Sequence, residues 1–350
     1  MRIAQVMLAK RFGGAERSFV DITNVLTAAG HEVVAIGDAR GVALDALEPR
    51  PTLERVALHC HGTWDRLAEY SIRRALARFA PSVVHAHLAR AAHLGGRAAH
   101  ALRIPTLAKT HNLVNLKYYQ HIDRLVPTTR LQEDYLRTRG IAPAALTRIP
   151  NFSRMPAVPA PPPLPAPPWR LVTLGRFVAK KGFDVLLTAF AELRAAGLDV
   201  SLDIGGDGPE RARLERQVAR LGLTDVVHLP GWIDDTQAFL DGAALFVLPS
   251  RDEPFGIVLL EAMARGLPIV ATASDGPREI LTDGAAALVA IDDPGALAAA
   301  MRASLAGAGP AHAASALARY REHFRADVVV ARYLALYAEL AQAGTRSPRN

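Results

Sequence analysis

The chain has 350 residues, enough for two domains at roughly 150 residues each. Hydrophobic residues make up 50% and charged residues 21%, which excludes a disordered or collagen-like chain. Its one cysteine, Cys60, excludes an intramolecular disulfide and a multi-cysteine zinc site. The net charge of +7 sits in residues 1–150, which carry 21 Lys/Arg against 12 Asp/Glu, while the remainder carries 20 against 22. That asymmetry points to an acidic partner: nucleic acid, anionic lipid or a phosphorylated ligand.

Residues 3–8 read as a buried strand rather than a signal peptide, because the apolar run is short and no cleavage site follows. The turn Phe12-Gly13-Gly14-Ala15-Glu16 leads into a helix over 17–29, ended by Gly30. Strands follow at 32–37, 55–59, 82–87, 104–111 and 124–128, with helices at 64–79 and 89–102. Residues 156–168 contain eight prolines, which bar helix and central strand and read as a semi-rigid extended linker or a proline-rich surface loop. The alternation then restarts: strands at 170–174, 200–204, 226–229, 245–248, 268–271 and, more weakly, 286–290; helices at 183–196, 209–221, 256–265 and 294–305. Helical patterns at 311–324 and 326–343 close the chain. Two domains of alternating strand and helix imply mostly parallel sheets covered on both faces. No segment reaches the ~18 consecutive apolar residues of a membrane span, so a cytoplasmic protein with at most peripheral membrane contact is expected.

Three segments carry chemistry. Residues 249–268 (PSRDEPFGIVLLEAMARGLP) leave a strand, turn through Pro254 and Gly256 and enter a helix that Gly266 stops. Free amides at such a helix start favour an anion. Glu253 and Glu261 flank that start, and carboxylates accept from vicinal hydroxyls, so one can hold a sugar and the other a ribose. An acidic first turn favoured by the helix dipole is the competing reading. Second, Gly175-Arg176-Phe177-Val178-Ala179-Lys180-Lys181-Gly182 follows the first strand of the second domain, where ligands sit in open α/β sheets. Arg grips phosphate bidentately and Lys adds a point charge; a solvated basic loop is the alternative. Third, Gly13-Gly14 in the first turn lets backbone approach a ligand or serves the turn alone. None of these has the Gly-x-Gly-x-x-Gly or Walker spacing.

Taken in this order, with Val83-Val84-His85-Ala86-His87, Thr110-His111, Ile149-Pro150-Asn151, Gly205-Gly206-Asp207-Gly208-Pro209 and Gly276-Pro277-Arg278-Glu279-Ile280, the chain resembles the retaining, nucleotide-sugar-dependent glycosyltransferases of family 4 (glycosyl transferases group 1). The resemblance covers nearly the whole chain. It implies the α/β GT-B fold, two Rossmann-like doubly wound domains facing each other across a cleft. Residues 1–155 would bind the acceptor, 156–168 would link, 169–325 would bind the donor, and helix 326–350 would cross back to the first domain. Arg176 and Lys181 would hold the donor diphosphate, with backbone donors at Gly256 and Ile257 beside Phe255. Glu261 would take the ribose and Glu253 the transferred sugar. His111 would sit near the sugar, Gly13 and Gly14 would close over the phosphates, and the base would lie near Gly205, Gly206, Trp232 and Ile233. The loop after the Gly-Pro-Arg-Glu turn departs from the family pattern: Gly284 is kept, and alanine replaces the second glycine.

The resemblance implies no cofactor, a nucleoside diphosphate sugar of unassigned base as co-substrate and a glycan or glycolipid as acceptor, in cell-envelope polysaccharide or lipopolysaccharide synthesis. No Asp-x-Asp motif is present for a metal, so the positive groups are expected to stabilise the leaving diphosphate; the resemblance implies front-face attack with retention. A sugar-nucleotide epimerase or phosphorylase-like enzyme of the same fold, and a non-catalytic nucleotide-sugar- or glycan-binding protein, remain open. Eight of the 12 histidines fall between His59 and His121; His59-Cys60-His61 and His85-x-His87 invite a metal reading, but no metal site is expected. In the helix at 64–79, Arg66, Arg73 and Arg74 either face anionic lipid with the Trp64 end inserted or form a solvated face over a stripe of Leu67, Ile72, Leu76 and Phe79. With 6% aromatic residues and no nucleic-acid motif, a nucleic-acid partner is not expected.

Overall fold

In the computed structural model the chain divides into two compact units, Met1–Phe152 with Ala326–Asn350, and Ser153–Arg325. The structure describes residues 1–11 and 13–346; Phe12 of the first turn and residues 347–350 of the closing segment lie outside the described residues.

The first unit runs β1 (Arg2–Met7), α1 (Gly14–Ala28), β2 (Glu32–Asp38), β3 (Leu53–Leu58), α2 (Arg66–Phe79), β4 (Val83–His87), α3 (Leu88–Ala101), β5 (Thr106–Thr110), β6 (Arg124–Pro127) and α4 (Arg130–Thr138). The second runs β7 (Trp169–Leu174), α5 (Phe183–Ala195), β8 (Val200–Gly205), α6 (Arg211–Arg220), β9 (Val227–Gly231), α7 (Thr236–Leu240), β10 (Leu245–Leu248), α8 (Ile257–Ala264), β11 (Ile269–Thr272), α9 (Asp275–Ile280), β12 (Ala287–Val289), α10 (Pro294–Ala303) and α11 (Gly309–His323). A last helix, α12 (Ala326–Arg346), belongs to the first unit.

Each unit holds one six-stranded sheet, ordered β3-β2-β1-β4-β5-β6 and β12-β11-β10-β7-β8-β9, the same connectivity twice. The ladders are parallel throughout. Parallel strands need crossovers that place helices on both faces, so the central strands are apolar and buried on both sides. Ile3, Ala4 and Val6 of β1 and Phe246, Val247 and Leu248 of β10 are fully buried accordingly. The chain reverses its winding between β1 and β4 and again between β7 and β10, and ligands of such sheets bind outside the strand ends at these points.

Tyr333 and Tyr337 of α12 are fully buried with Ile3, Val83 and Leu107 of the first sheet. The proline-rich residues 156–168 are extended and bonded along the second unit. Val158 N–H donates to the Ala264 carbonyl at 2.9 Å, and the Trp169 indole donates to the Pro165 carbonyl at 2.9 Å.

The long elements fall within a few residues of expectation. Three short helices had no signal in the periodicity: α4, α7 and α9. The first two are set by local side-chain caps, Thr129 to the Gln132 amide and Asp235 to the Ala238 amide. The helix expected over 294–305 stops at Ala303, where a wide turn at Ser304–Ala308 contains Gly307 at φ +125°. In α2 only part of the expected apolar stripe is covered. Ile72, Leu76 and Phe79 are buried, while Leu67 is 79% exposed. Among the described residues no helix is long and apolar enough to cross a membrane.

Candidate active site

Strand β7 delivers Gly175 and Arg176 to its carboxyl end, and β10 delivers residues 249–256 beside it. Arg176 is exposed, and its guanidinium has no ion pair or hydrogen bond among the described residues. Lys181 ends a single 3-10 turn, Ala179–Lys181, and its stem lies over Gly175, with Cε 3.6 Å from where a Cβ would stand. The Lys181 ammonium pairs with the Glu253 carboxylate, both side chains being largely buried. Glu253 also lies against Gly256, its Cγ 3.2 Å from the position of an added Cβ. Gly256 is the N-cap of α8 at φ +96°, which Gly adopts without strain. The first-turn amides at Ile257 and Val258 therefore have no acceptor ahead of them in the helix. Phe255 is buried beneath this turn, and Glu261 is 1% exposed on α8.

The ends of β8 and β9 adjoin. The Gly206 amide donates to the Gly231 carbonyl at 2.7 Å and the Gly175 amide to the Gly205 carbonyl at 3.0 Å. Gly205 packs against Ile233, whose Cγ1 is 2.7 Å from an added Cβ, and Trp232 beside it is 66% exposed. Gly206 has φ +132°, and a Cβ there would stand 2.0 Å from the Gly175 carbonyl oxygen; this close approach is what the double glycine serves.

The sequence reading passed over the residue that ties the two loops. Arg251 donates from Nη1 and Nη2 to both carboxylate oxygens of Asp184, at 2.8 and 3.0 Å. Its Nε donates to Asp292 at 2.5 Å and Nη1 also to the Ala179 carbonyl at 2.7 Å. Its own amide donates to the Lys180 carbonyl at 2.8 Å. Burial alone would raise the Asp184 carboxyl, but the hydrogen bonds and charge of Arg251 hold it below its usual range. The only local signal was an acid opening α5 directly after Lys-Lys-Gly; its partner is 67 residues away. Asp184→Asn or Arg251→Gln is expected to lower stability by roughly 1–3 kcal/mol, the worth of charged hydrogen bonds. Urea unfolding of each variant checks this.

The remaining sequence candidates lie in the first unit, at its own strand ends. Gly13 caps α1 after β1, and Gly14 begins that helix. His111 follows β5 in a buried row of imidazoles: His85 and His87 stack at 4.2 Å, and His87 and His111 tilt at 6.0 Å. Burial, then neighbouring charge including Lys109, pushes all three well below the ordinary imidazole range, so they are neutral at pH 7. His87 Nε2 meets Gln5 Oε1 and His85 Nδ1 meets the Tyr337 hydroxyl, each at 2.8 Å. The His111 Nε2 is buried with no hydrogen-bond partner among the described residues.

The second unit thus carries two cations, a carboxylate and open helix amides at its strand ends. The family model described as Glycosyltransferase Family 4 matches residues 12–153, and that described as Glycosyl transferases group 1 matches residues 156–321. The lipopolysaccharide core biosynthesis glycosyltransferase LpsD of Rhizobium meliloti is 33% identical over 301 residues, spanning 83% of this chain and 84% of that protein. Among solved structures, sucrose-phosphate synthase of Thermosynechococcus elongatus superposes with a TM-score of 0.82 at 21% identity, covering 98% of this chain and 99% of the other. HepE of Anabaena in complex with UDP does so at 0.81 and 18%, covering 97% and 100%. Both family models and a relative similar along most of its length agree with the twice-used sheet topology: the chain belongs to the family 4 glycosyltransferases, glycosyl transferases group 1, and has the GT-B fold.

Proposed function

We propose that the chain moves a sugar from a nucleoside diphosphate to a glycan or glycolipid of the cell envelope, retaining anomeric configuration and using no resident metal ion. The observation that carries the donor assignment is the pairing of Lys181 with Glu253 beside unpaired Arg176, at the switch point and at the open amides of α8. LpsD and LpsE of Rhizobium meliloti, both named for lipopolysaccharide core biosynthesis, support the acceptor class; LpsE is 34% identical over 278 residues.

As the bond from the anomeric carbon to the diphosphate breaks, its electron pair passes to the phosphate oxygen. Arg176, Lys181 and the Ile257 amide meet that charge in fixed positions. Glu253, held by Lys181 beforehand, accepts from sugar hydroxyls, and Glu261 accepts from the ribose. Trp232, with Ile233 and the Gly205-Gly206 backbone, offers a face to the base. The acceptor oxygen attacks the anomeric carbon from the leaving-group side, and its proton goes to the departing phosphate oxygen. Donor turnover followed by NMR tests this: acceptor-dependent diphosphate release, a product anomer matching the donor, and a rate indifferent to chelator are expected. An inverted product, or release without transfer, overturns it.

The first unit gives the proposed acceptor a surface. Trp64, Leu67 and Tyr70 are 69%, 79% and 56% exposed, beside exposed Arg66, Arg73 and Arg74 on α2. An apolar tip with basic flanks suits an anionic membrane surface. Co-sedimentation with anionic vesicles is expected to fall severalfold for Trp64→Ala/Leu67→Ala and with rising salt; binding equal to that on neutral vesicles would contradict it.

A further inference from the structure

A groove of about 730 Å³ opens on the second unit, lined by residues of α5, α6 and the Arg251 loop and not by Glu253 or Lys181. Four arginines line it, Arg213, Arg216, Arg220 and Arg251, with Asp184 and Asp292 as the acids. Arg251 and Arg213 are engaged: the first by Asp184 and Asp292, the second by Glu210 and Asp184. Arg216 and Arg220 are exposed and have no ion pair or hydrogen bond among the described residues. Residues 213, 216 and 220 stand three and four apart on α6, so they share one face and repel one another.

This concentration of charge is not background, because residues 151–350 carry two more acids than bases. Nor is it the donor pocket, whose cations are Arg176 and Lys181. The volume falls in the range of small-ligand clefts and exceeds what a bare phosphate fills. Guanidinium forks match the oxygens of a phosphate monoester, and the Asp292 oxygen not bonded to Arg251 can accept from a sugar hydroxyl.

We propose that this groove is a second anion site, binding a sugar that carries a phosphate monoester, free or on a glycan chain. Arg251 connects it to the donor loops through the Ala179 carbonyl, so occupancy stiffens the turn that holds Lys181.

The inference does not depend on the donor assignment, and its test separates the two. Calorimetric titration of the full chain uses glucose 6-phosphate as probe, in an Arg176→Ala/Lys181→Ala background that removes the cations of the donor pocket. Binding is expected there, weakening at least tenfold on adding Arg216→Gln/Arg220→Gln and unchanged on adding Arg332→Gln on α12. Glucose is expected not to bind, and a short phosphorylated oligosaccharide to compete if the phosphate is carried on a glycan. Absence of glucose 6-phosphate binding in the parent with an intact unfolding transition, or equal affinity with and without Arg216 and Arg220, overturns the proposal.

Discussion

Arg176→Ala and Lys181→Ala are each expected to lower kcat/KM for donor by about 10²–10³, the loss typical of removing one fixed donor from a developing anion. Both follow β7. Arg176 is exposed, so its removal changes turnover at little structural cost, whereas Lys181→Ala is also expected to lower stability because its buried partner Glu253 loses its cation. Lys180→Ala is the control. Lys180 is one residue away but turned to Asp252 at 3.1 Å, an exposed pair of small worth, and the change expected is under about threefold. If all three variants behaved alike, the effect would be general positive charge rather than two placed groups. Lys181→Ala has a further consequence. It leaves the buried Glu253 carboxylate without its cation, so the variant should bind donor more weakly and turn over more slowly, whereas Arg176→Ala unbalances no partner.

A pH-dependent stability tied to one lysine is the second large effect. Lys109 on β5 is fully buried; its Nζ donates to Ser18 Oγ at 2.7 Å and lies 5.6 Å from the Tyr333 ring centre. Burial, opposed in part by the charge of Asp21, brings its ammonium from 10.5 down to about 7. Between those values the unfolded chain holds a proton that the folded chain has released, so stability rises with pH, by at most about 1.4 kcal/mol per unit. Above the unfolded value the contribution is complete; it is lost as pH falls toward 7, and below that both states are charged and the slope ends. Urea unfolding at pH 7 and pH 9 should therefore show a rise roughly 2–3 kcal/mol larger in the native chain than in Lys109→Met. Parallel pH profiles for the two chains would refute the assignment.

The sheets were legible because parallel strands buried on both faces are written as short apolar runs, as in β1 and β10, and the long crossover helices carry their own periodicity, which the short α7 and α9 do not. The turn into α8 was legible for a related reason: Glu253, Gly256 and Glu261 lie within one strand-turn-helix, so their spacing is also their geometry. Arg251 was not, because its meaning rests on Asp184 and Asp292, which meet it only through folding. The histidines show the same limit. Their spacing invited a metal reading, whereas the partners of His87 and His85, Gln5 and Tyr337, come from strand β1 and helix α12. Leu67 failed differently: helical spacing marks a face, and only the packed structure shows where cover ends.

The return of α12 to the first unit also sets an order of assembly. The second unit is one uninterrupted stretch of chain, Ser153–Arg325, whereas the first has its closing helix at the far end of the sequence. During synthesis at roughly 5–20 residues per second, the first sheet waits on the order of ten seconds or more with the surface meant for Tyr333 and Tyr337 open. The unit begun first is therefore finished last. An exposed apolar sheet face in that interval makes the nascent first unit the natural client of a chaperone, and truncations before Tyr333 the ones most prone to aggregate.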